Sequence, residues 1–240
     1  MLRNFLSLLG RNEISILPAR HVSKMLPFGM RLEVTKEDVD DTLDFLNWTF
    51  LREEPVVQAM CIQDPCDLQR YIKRQVQQSI AMKVLDKNCE TLAVALGTVV
   101  NPKSSEDLRT FAECSICDQR TKRLFNLWAD ISDSHNLFEC FKVREIWEIT
   151  ILATSPEARG KGLGKILMME ARHVGKQEGL SITRVDCTSF YSAKLVYDLK
   201  YITLPPRHVL TYRDKKGIPW LPASPPHPHG HIVVAYDFLT

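Results

Sequence analysis

Residues 149–179 read ITILATSPEARGKGLGKILMMEARHVGKQEG, and this stretch decides the fold. A run rich in β-branched residues ends at Ser155-Pro156, three glycines follow at alternate positions, and a long amphipathic segment begins at Leu163. Because glycine has no Cβ, the backbone amides of such a turn can point toward one centre. The first turn of a helix also leaves N–H groups unpaired, and its dipole favours an anion. The pattern predicts a strand, an anion-binding turn and a helix.

The spacing of the glycines excludes two common nucleotide sites. A Rossmann site has G-x-G-x-x-G after its first strand, and a P-loop has G-x-x-x-x-G-K-[ST], and neither is present. Arg159, Lys161 and Lys165 add positive charge to the turn. We therefore predict a diphosphate group as the ligand, with a glycine-tolerant turn that binds nothing as the plain alternative.

Alternating and helical apolar periods continue on both sides of this stretch. The predicted strands cover residues 30–34, 81–85, 91–100, 145–154, 183–187, 201–212 and 231–238. The predicted helices cover residues 39–50, 67–78, much of 108–140, 163–178 and 191–199. This mixed order predicts an α/β (α+β mixed) fold around one sheet.

The composition is that of an ordinary globular protein. Of the 240 residues 45% are hydrophobic, and the formal net charge of +2 gives no overall attraction to nucleic acid or to a membrane. We expect a monomer with small-molecule partners, no nucleic acid and no membrane. Seven cysteines without a framework spacing indicate reduced thiols. We predict no metal site, because the spacing of candidate ligands matches no zinc motif. These candidates are the Cys114–Cys117 pair and the alternating His227, His229 and His231.

The first 27 residues differ in character from the rest. Four basic residues stand against the single acid Glu13 between Met1 and Lys24, among leucines and serines, which is typical of a mitochondrial presequence. The alternative is an ordinary or disordered extension. We predict an extension over residues 1–27, a domain over residues 28–240, and a cytoplasmic protein, with a mitochondrial location as the alternative.

Arg159-x-x-Gly162-x-Gly164 resembles the [Q/R]-x-x-G-x-[G/A] signature of the GNAT superfamily of N-acetyltransferases. The resemblance implies acetyl-CoA as cosubstrate, a loop that grips its diphosphate, and a preceding strand that pairs with its pantetheine arm. It also implies a mostly antiparallel, twisted sheet that is splayed at the cofactor strand and flanked by helices. The cofactor-binding residues that it implies are Leu152, Ala153, Thr154, Arg159, Gly160, Lys161, Gly162, Leu163, Gly164 and Lys165.

Three further stretches are similar to the insect arylalkylamine N-acetyltransferases: residues 50–55, residues 187–193 and the tail from Tyr212 to Leu239. This resemblance implies acetyl transfer to a small primary amine such as dopamine, serotonin, octopamine or tryptamine. A polyamine, an amino acid or a protein lysine as acceptor stays open, as does a non-catalytic acyl-CoA-binding module. The tryptophans Trp48, Trp128, Trp147 and Trp220 could line an aromatic pocket or belong to the core.

Direct attack of an amine on a thioester needs a base, because the amine arrives as an ammonium. The insect resemblance implies Glu54 as that base, and the rival is Glu148, which stands eleven residues before Arg159 as in histone-type relatives. The same resemblance implies that the Thr188 and Ser192 hydroxyls lie near the thioester, although both could simply cap a helix.

The chain departs from the superfamily pattern at two positions in the same region. Val196 stands where many members have a tyrosine acid, with Tyr197 one residue off, and Lys200-Tyr201 replaces a Gly-Phe pair.

Overall fold

The computed structural model describes residues 22–35 and 39–239, which form a nine-stranded sheet with helices on both faces. The strands are β1 (Val22–Met25), β2 (Arg31–Thr35), β3 (Ile80–Leu85), β4 (Thr91–Val100), β5 (Ile146–Thr154), β6 (Ile182–Cys187), β7 (Ile202–Thr203), β8 (Arg207–His208) and β9 (His231–Phe238). The helices are α1 (Val39–Trp48), α2 (Phe50–Glu53), α3 (Pro55–Met60), α4 (Cys66–Gln78), α5 (Ser104–Ser115), α6 (Gln119–Asp133), α7 (Leu137–Phe141), α8 (Leu163–Gln177) and α9 (Phe190–Asp198).

The strand order is β1-β2-β3-β4-β5-β6-β9-β7, and β8 pairs with β9. Every pair is antiparallel except β5 with β6, whose parallel register joins Trp147 to Thr183 and Glu148 to Arg184. In the described chain these two strands share no further register pair, so they separate after Glu148. The predicted class, a mostly antiparallel sheet splayed at β5, is confirmed.

Two layers of helices cover the sheet. The apolar stripe of α8, formed by Leu163, Leu167, Ala171 and Val174, is buried against one face, as its helical spacing predicts. On the other face, α1 and α4 pack on β3, β4 and the second half of β5. The core around α6 joins α3 and α5 to the C-terminal segment of the chain. Residues 108–140, predicted as helix-rich, hold most of α5, all of α6 and all but the last residue of α7.

Trp147 fills the space between the sheet and α8. Its side chain is 1% exposed, and a Cβ at Gly97 of β4 would overlap its ring. A Cβ at Gly175 of α8 would lie 2.5 Å from its Cδ1. The indole is therefore held between two glycines that leave room for it. The hypothesis that Trp147 lines a substrate pocket is wrong, because the ring is enclosed in the core.

A β-bulge interrupts the pairing of β4 with β5. Leu96 pairs with Ile151 and Gly97 with Ile149, so Thr150 is the extra residue. The bulge reverses which face each following residue occupies. Ile149 packs with the α8 layer, whereas Ile151 packs with α1 and α4.

The chain ends differ from the sequence prediction. The strand predicted over residues 201–212 is wrong: it is reduced to the two-residue strands β7 and β8 and a 3-10 helix at Val209–Thr211. Pro205 and Pro206 fall between the two strands and have no N–H for a ladder. At the other end, β1 lies within the predicted extension and pairs with β2, whereas residues 1–21 lie outside the described residues.

Candidate active site

Residues 159–165, which comprise the turn before α8 and the first three residues of that helix, form a cradle whose amides from Gly160 onward are unpaired within the described chain. Gly160 and Gly162 both have φ of 75°, and a Cβ at either would meet no atom within 4 Å. Glycine is favoured at both positions because of the positive φ, since an added Cβ would meet no steric obstacle there. Across residues 22–35 and 39–239, no backbone carbonyl accepts from the amides of residues 160–165, whereas the next amide, of Ile166, donates to Gly162. Six successive N–H groups are thus available to an anion.

Charge and an open strand edge complete the site for a diphosphate carrying an extended arm. Lys161 and Lys165 lie in the cradle, and Arg159 makes an ion pair with Glu53 of α2. Among the described strands, Leu152, Ala153 and Thr154 pair with β4 on one side only. Their other edge faces the gap where β6 has separated from β5. The residues present therefore fit a coenzyme A molecule, with its diphosphate at the cradle and its pantetheine along β5.

A cavity of about 300 Å³ lies between β4, β5 and the helices α4, α5 and α6. We call it the aromatic cavity because four aromatic side chains line it. The ring centres of Tyr71 and Phe111 are 5.8 Å apart, and those of Tyr71 and Trp128 are 5.9 Å apart. The guanidinium of Arg74 lies 5.3 Å from the Phe111 ring. The aromatic lining residues are Phe50, Tyr71, Phe111 and Trp128.

Glu54 reaches the cavity from the N-terminus of α3. The following Pro55 favours an extended backbone at Glu54, whose ψ is 119°, so α2 ends and a new helix starts. Glu54 caps that helix, since its Oε2 accepts from the Val57 amide at 2.5 Å. Its Oε1 is buried with no hydrogen-bond partner of normal geometry in the described part of the chain. Burial raises the pKa of Glu54 to about 7, although the Thr188 hydroxyl and the amides of Val57 and Val56 oppose that rise.

Glu148 lines the same cavity from β5. Burial raises its pKa, and the nearby carboxylate of Asp186 adds to that rise, whereas Arg184 opposes it. Burial raises the pKa of Tyr71, and Glu148 adds to that rise, so the Tyr71 hydroxyl lies within electrostatic reach of Glu148. The aromatic cavity therefore holds both candidate bases.

The two predicted hydroxyls have different surroundings. Thr188 lines the aromatic cavity and interacts with Glu54. Ser192 forms a capping box with Ser189 at the start of α9, in which each side chain accepts from the other residue's amide. The structure thus brings Glu54, Glu148 and Thr188 together, and it leaves Ser192 in the helix cap outside the cavity lining.

Sequence reasoning missed Arg184 and Asp186. Arg184 is 1% exposed, and its ion pair with Asp186 fixes a carboxylate in the wall of the aromatic cavity. The only local signal was an arginine within an apolar strand, which predicts a buried ion pair. Its other partners, the carbonyls of residues 131, 132 and 135, are about fifty residues away in the chain.

The remaining sequence candidates lie elsewhere. Trp128 lines the cavity, Trp48 is 61% exposed, and Trp220 packs near α6 and donates to Asp130. No group of three metal-ligating side chains occurs within the described ranges. None of the helices described there is long and apolar enough to cross a membrane.

The two departures from the superfamily pattern have simple structural outcomes. Val196 is buried in the core, and Tyr197 is 44% exposed. Lys200 has φ of 62°, so it adopts the left-handed conformation that a glycine would take, and Tyr201 is buried in the core as a phenylalanine would be.

Residues 108–195 match the model of the acetyltransferase (GNAT) family. Over these residues the chain is similar to the GNAT acetyltransferases. The matched residues include β5, the cradle, α8 and β6. Acetyl-CoA is the acyl donor of the family, as the sequence predicted.

Solved structures support the GNAT fold over most of the chain. Arylalkylamine N-acetyltransferase 2 from Aedes aegypti is 24% identical with a TM-score of 0.78, and the alignment covers 88% of this chain and 99% of that one. A mosquito arylalkylamine N-acetyltransferase like 5b is 20% identical, covering 87% and 99%, with a TM-score of 0.78. A Drosophila melanogaster polyamine N-acetyltransferase is 21% identical, covering 86% and 99%, with a TM-score of 0.74.

The cradle makes a testable prediction for Gly162→Ala. The left-handed conformation costs a residue with a Cβ about 1–2 kcal/mol, and relief of that strain would turn the cradle amides away. We expect the KM for acetyl-CoA to rise about tenfold, measured by initial rates of thiol release. Gly179→Ala is the matched control, because Gly179 has φ of 80° and open space at the far end of α8. An equal rise in both variants would contradict a role of the cradle in binding.

Proposed function

We propose that this GNAT enzyme acetylates a small arylalkylamine, with Glu54 as the base that accepts the proton of the substrate ammonium. One observation carries the proposal: the aromatic cavity joins a lining of four aromatic rings to a buried carboxylate with an unpartnered oxygen. The rings suit the aryl group of the acceptor by offset or edge-to-face packing. The carboxylate suits its amine.

The two carboxylate oxygens of Glu54 have different roles. The Val57 amide holds Oε2, which fixes the carboxylate at the end of α3. Oε1 is then free to accept a hydrogen bond from the ammonium and to take its proton, which leaves a neutral amine able to attack. A pKa of about 7 places this group near the working pH, where a base combines availability with proton affinity.

Acetyl-CoA supplies the activated acetyl group as a thioester. Residues 160–165 would hold its diphosphate through their amides, with the Lys161 and Lys165 side chains adding charge. Residues 152–154 would pair with the extended arm along the open edge of β5. Thr188 stands beside Glu54 at the cavity and can donate a hydrogen bond to the reacting carbonyl, whereas Ser192 caps α9 together with Ser189.

A second candidate acceptor is a polyamine. Asp107 and Asp186 line the same cavity as the two glutamates, and several carboxylates suit a molecule with several ammonium groups. The Drosophila enzyme of similar fold is named a polyamine N-acetyltransferase. Arg74 opposes this candidate, because its guanidinium in the cavity wall would repel a second ammonium.

Thiol release from acetyl-CoA by the full chain tests the proposal. The amine panel is tyramine, dopamine, serotonin, octopamine, agmatine, spermidine and a lysine peptide. We expect a higher kcat/KM with the aromatic amines than with the others. Turnover of agmatine and spermidine alone would favour the polyamine candidate. No turnover with any amine, while acetyl-CoA still raises the melting temperature, would indicate a binding module.

A further inference from the structure

The guanidinium of Arg184 uses all five of its N–H donors. Nε and Nη2 donate to the two carboxylate oxygens of Asp186, at 2.8 and 3.1 Å. Nη2 also donates to the carbonyl of Ile131 at 3.1 Å, and Nη1 donates to the carbonyls of Ser132 and His135 at 3.0 and 3.3 Å. A guanidinium has no sixth donor. Arg184 is therefore saturated by Asp186, by the last turn of α6 and by the loop that follows that helix.

Glu148 is the register neighbour of Arg184, yet it is not one of its hydrogen-bond partners. The two residues face each other across β5 and β6, at the last pair before the strands separate. Within the described ranges no hydrogen bond or ion pair joins Glu148 to a cation. Glu148 is half-buried and faces the aromatic cavity. A like charge beside a carboxylate that has no hydrogen-bonded cation disfavours its ionised form, so the protonated form is favoured.

We propose that Arg184 and Asp186 form a positioning pair that leaves Glu148 no guanidinium donor, so that Glu148 holds a proton in the resting enzyme and Glu54 alone serves as the base. Asp186 takes the guanidinium, and its carboxylate beside Glu148 favours the protonated form of Glu148. The inference rests on the proposed function for the role of Glu54. It assigns opposite states to the two glutamates that the sequence could not rank.

Other charged groups around Glu148 are compatible with this assignment. From α4, the Tyr71 hydroxyl lies within electrostatic reach of Glu148, and Arg74 acts on Tyr71. Asp107 of α5 and Glu54 line the same cavity and carry negative charge when ionised, which disfavours a charge on Glu148. Asp186 and Arg184 of β6 are the remaining pair. Asp186 thus opposes ionisation of Glu148, Arg184 favours it through its charge, and within the described residues neither arginine hydrogen-bonds to Glu148.

Infrared titration of the protonated carboxyl band tests the pair without relying on activity. The parent is full-length Glu54→Gln, so that Glu148 supplies the carboxylic acid of the cavity near neutral pH, and additional loss of the band in Glu148→Gln assigns it. Adding Asp186→Asn removes the negative neighbour and frees two guanidinium donors for Glu148. We expect the midpoint of the band to fall by about one to three pH units. An unchanged midpoint would overturn the proposal.

Two further variants separate positioning from general damage. Adding Arg184→Lys weakens the ion pair with Asp186 but supplies no free guanidinium donor to Glu148. The midpoint of the carboxyl band should therefore stay the same or rise. A fall like that of Asp186→Asn would contradict the proposed pair. Asp107→Asn is the matched control, because it removes another acid of the cavity wall but leaves the Arg184–Asp186 pair intact. A fall of the midpoint as large as that of Asp186→Asn would also contradict the proposed pair. If the titrations agree but no amine releases thiol, the proposed function fails while the pairing stands.

Discussion

Glu54→Gln is expected to lower kcat for acetyl transfer by about a hundred- to ten-thousand-fold, with little change in the KM for acetyl-CoA. Glutamine keeps the shape of the side chain and can still accept from the Val57 amide, but it cannot take a proton. In the wild type, log kcat/KM should rise with pH and bend near pH 7, because the base must be ionised and its pKa is about 7. Initial rates of thiol release from pH 5 to 9 measure both quantities.

The same variant carries an internal control in its stability. Burial raises the pKa of Glu54 from 4.5 to about 7, so the folded protein binds this proton more tightly than the unfolded chain does. The carboxyl therefore costs no stability below pH 4.5, and the cost grows to about 3 kcal/mol above pH 7. The melting temperature of Glu54→Gln should equal that of the wild type at pH 4.5 and exceed it at pH 8.

The matched kinetic comparison is Glu148→Gln. If Glu148 holds its proton at rest, this variant should retain far more turnover than Glu54→Gln. Normal turnover in a folded Glu54→Gln, together with loss in Glu148→Gln, would move the role of the base to Glu148. Equal losses would indicate that both carboxyls take part in the proton transfer.

Gly97→Ala is expected to lower the free energy of unfolding by about 3 kcal/mol. The new methyl group would overlap the Trp147 ring, and that ring cannot retreat because Gly175 and α8 lie close on its other side. Overpacking of a full core typically costs about 1–3 kcal/mol, and here neither side can yield. Thermal unfolding at pH 7 should show a midpoint lower by about 6–12 °C.

A second substitution shows whether the Trp147 ring causes the loss. Gly164→Ala is the control, because a Cβ there would lie 3.4 Å from Leu195 in ordinary contact. Its stability should stay within about 1 kcal/mol of the wild type. Trp147→Leu should be less harmful in the Gly97→Ala background than in the wild type, and exact additivity of the two changes would rule out the clash.

The cradle could be read from the sequence because its constraints are local. A strand, alternate glycines and an amphipathic helix are adjacent in the chain, so their spacing alone indicates where the amides point. The buried stripe of α8 follows from the same local period. Glu54 could be ranked by resemblance and placed at a helix start by the proline that follows it.

The rest depends on residues that are distant in the chain. Arg184 binds carbonyls about fifty residues before it, and the room for Trp147 is set by glycines fifty residues before and twenty-eight after it. No period in the sequence marks such pairs. The strand predicted over residues 201–212 was wrong for a local reason, because Pro205 and Pro206 interrupt the apolar pattern and cannot donate to a strand ladder.

The separation of β5 from β6 affects how cooperatively the molecule unfolds. In the described chain two register pairs join the half-sheet β1–β5 to the half-sheet of β6, β9 and β7, so the backbone ladder transmits little cooperativity across this seam. The halves then depend on α8 and on whatever occupies the seam to unfold as one unit. A ligand laid there acts as a missing strand, and its binding free energy becomes folding free energy of the C-terminal half.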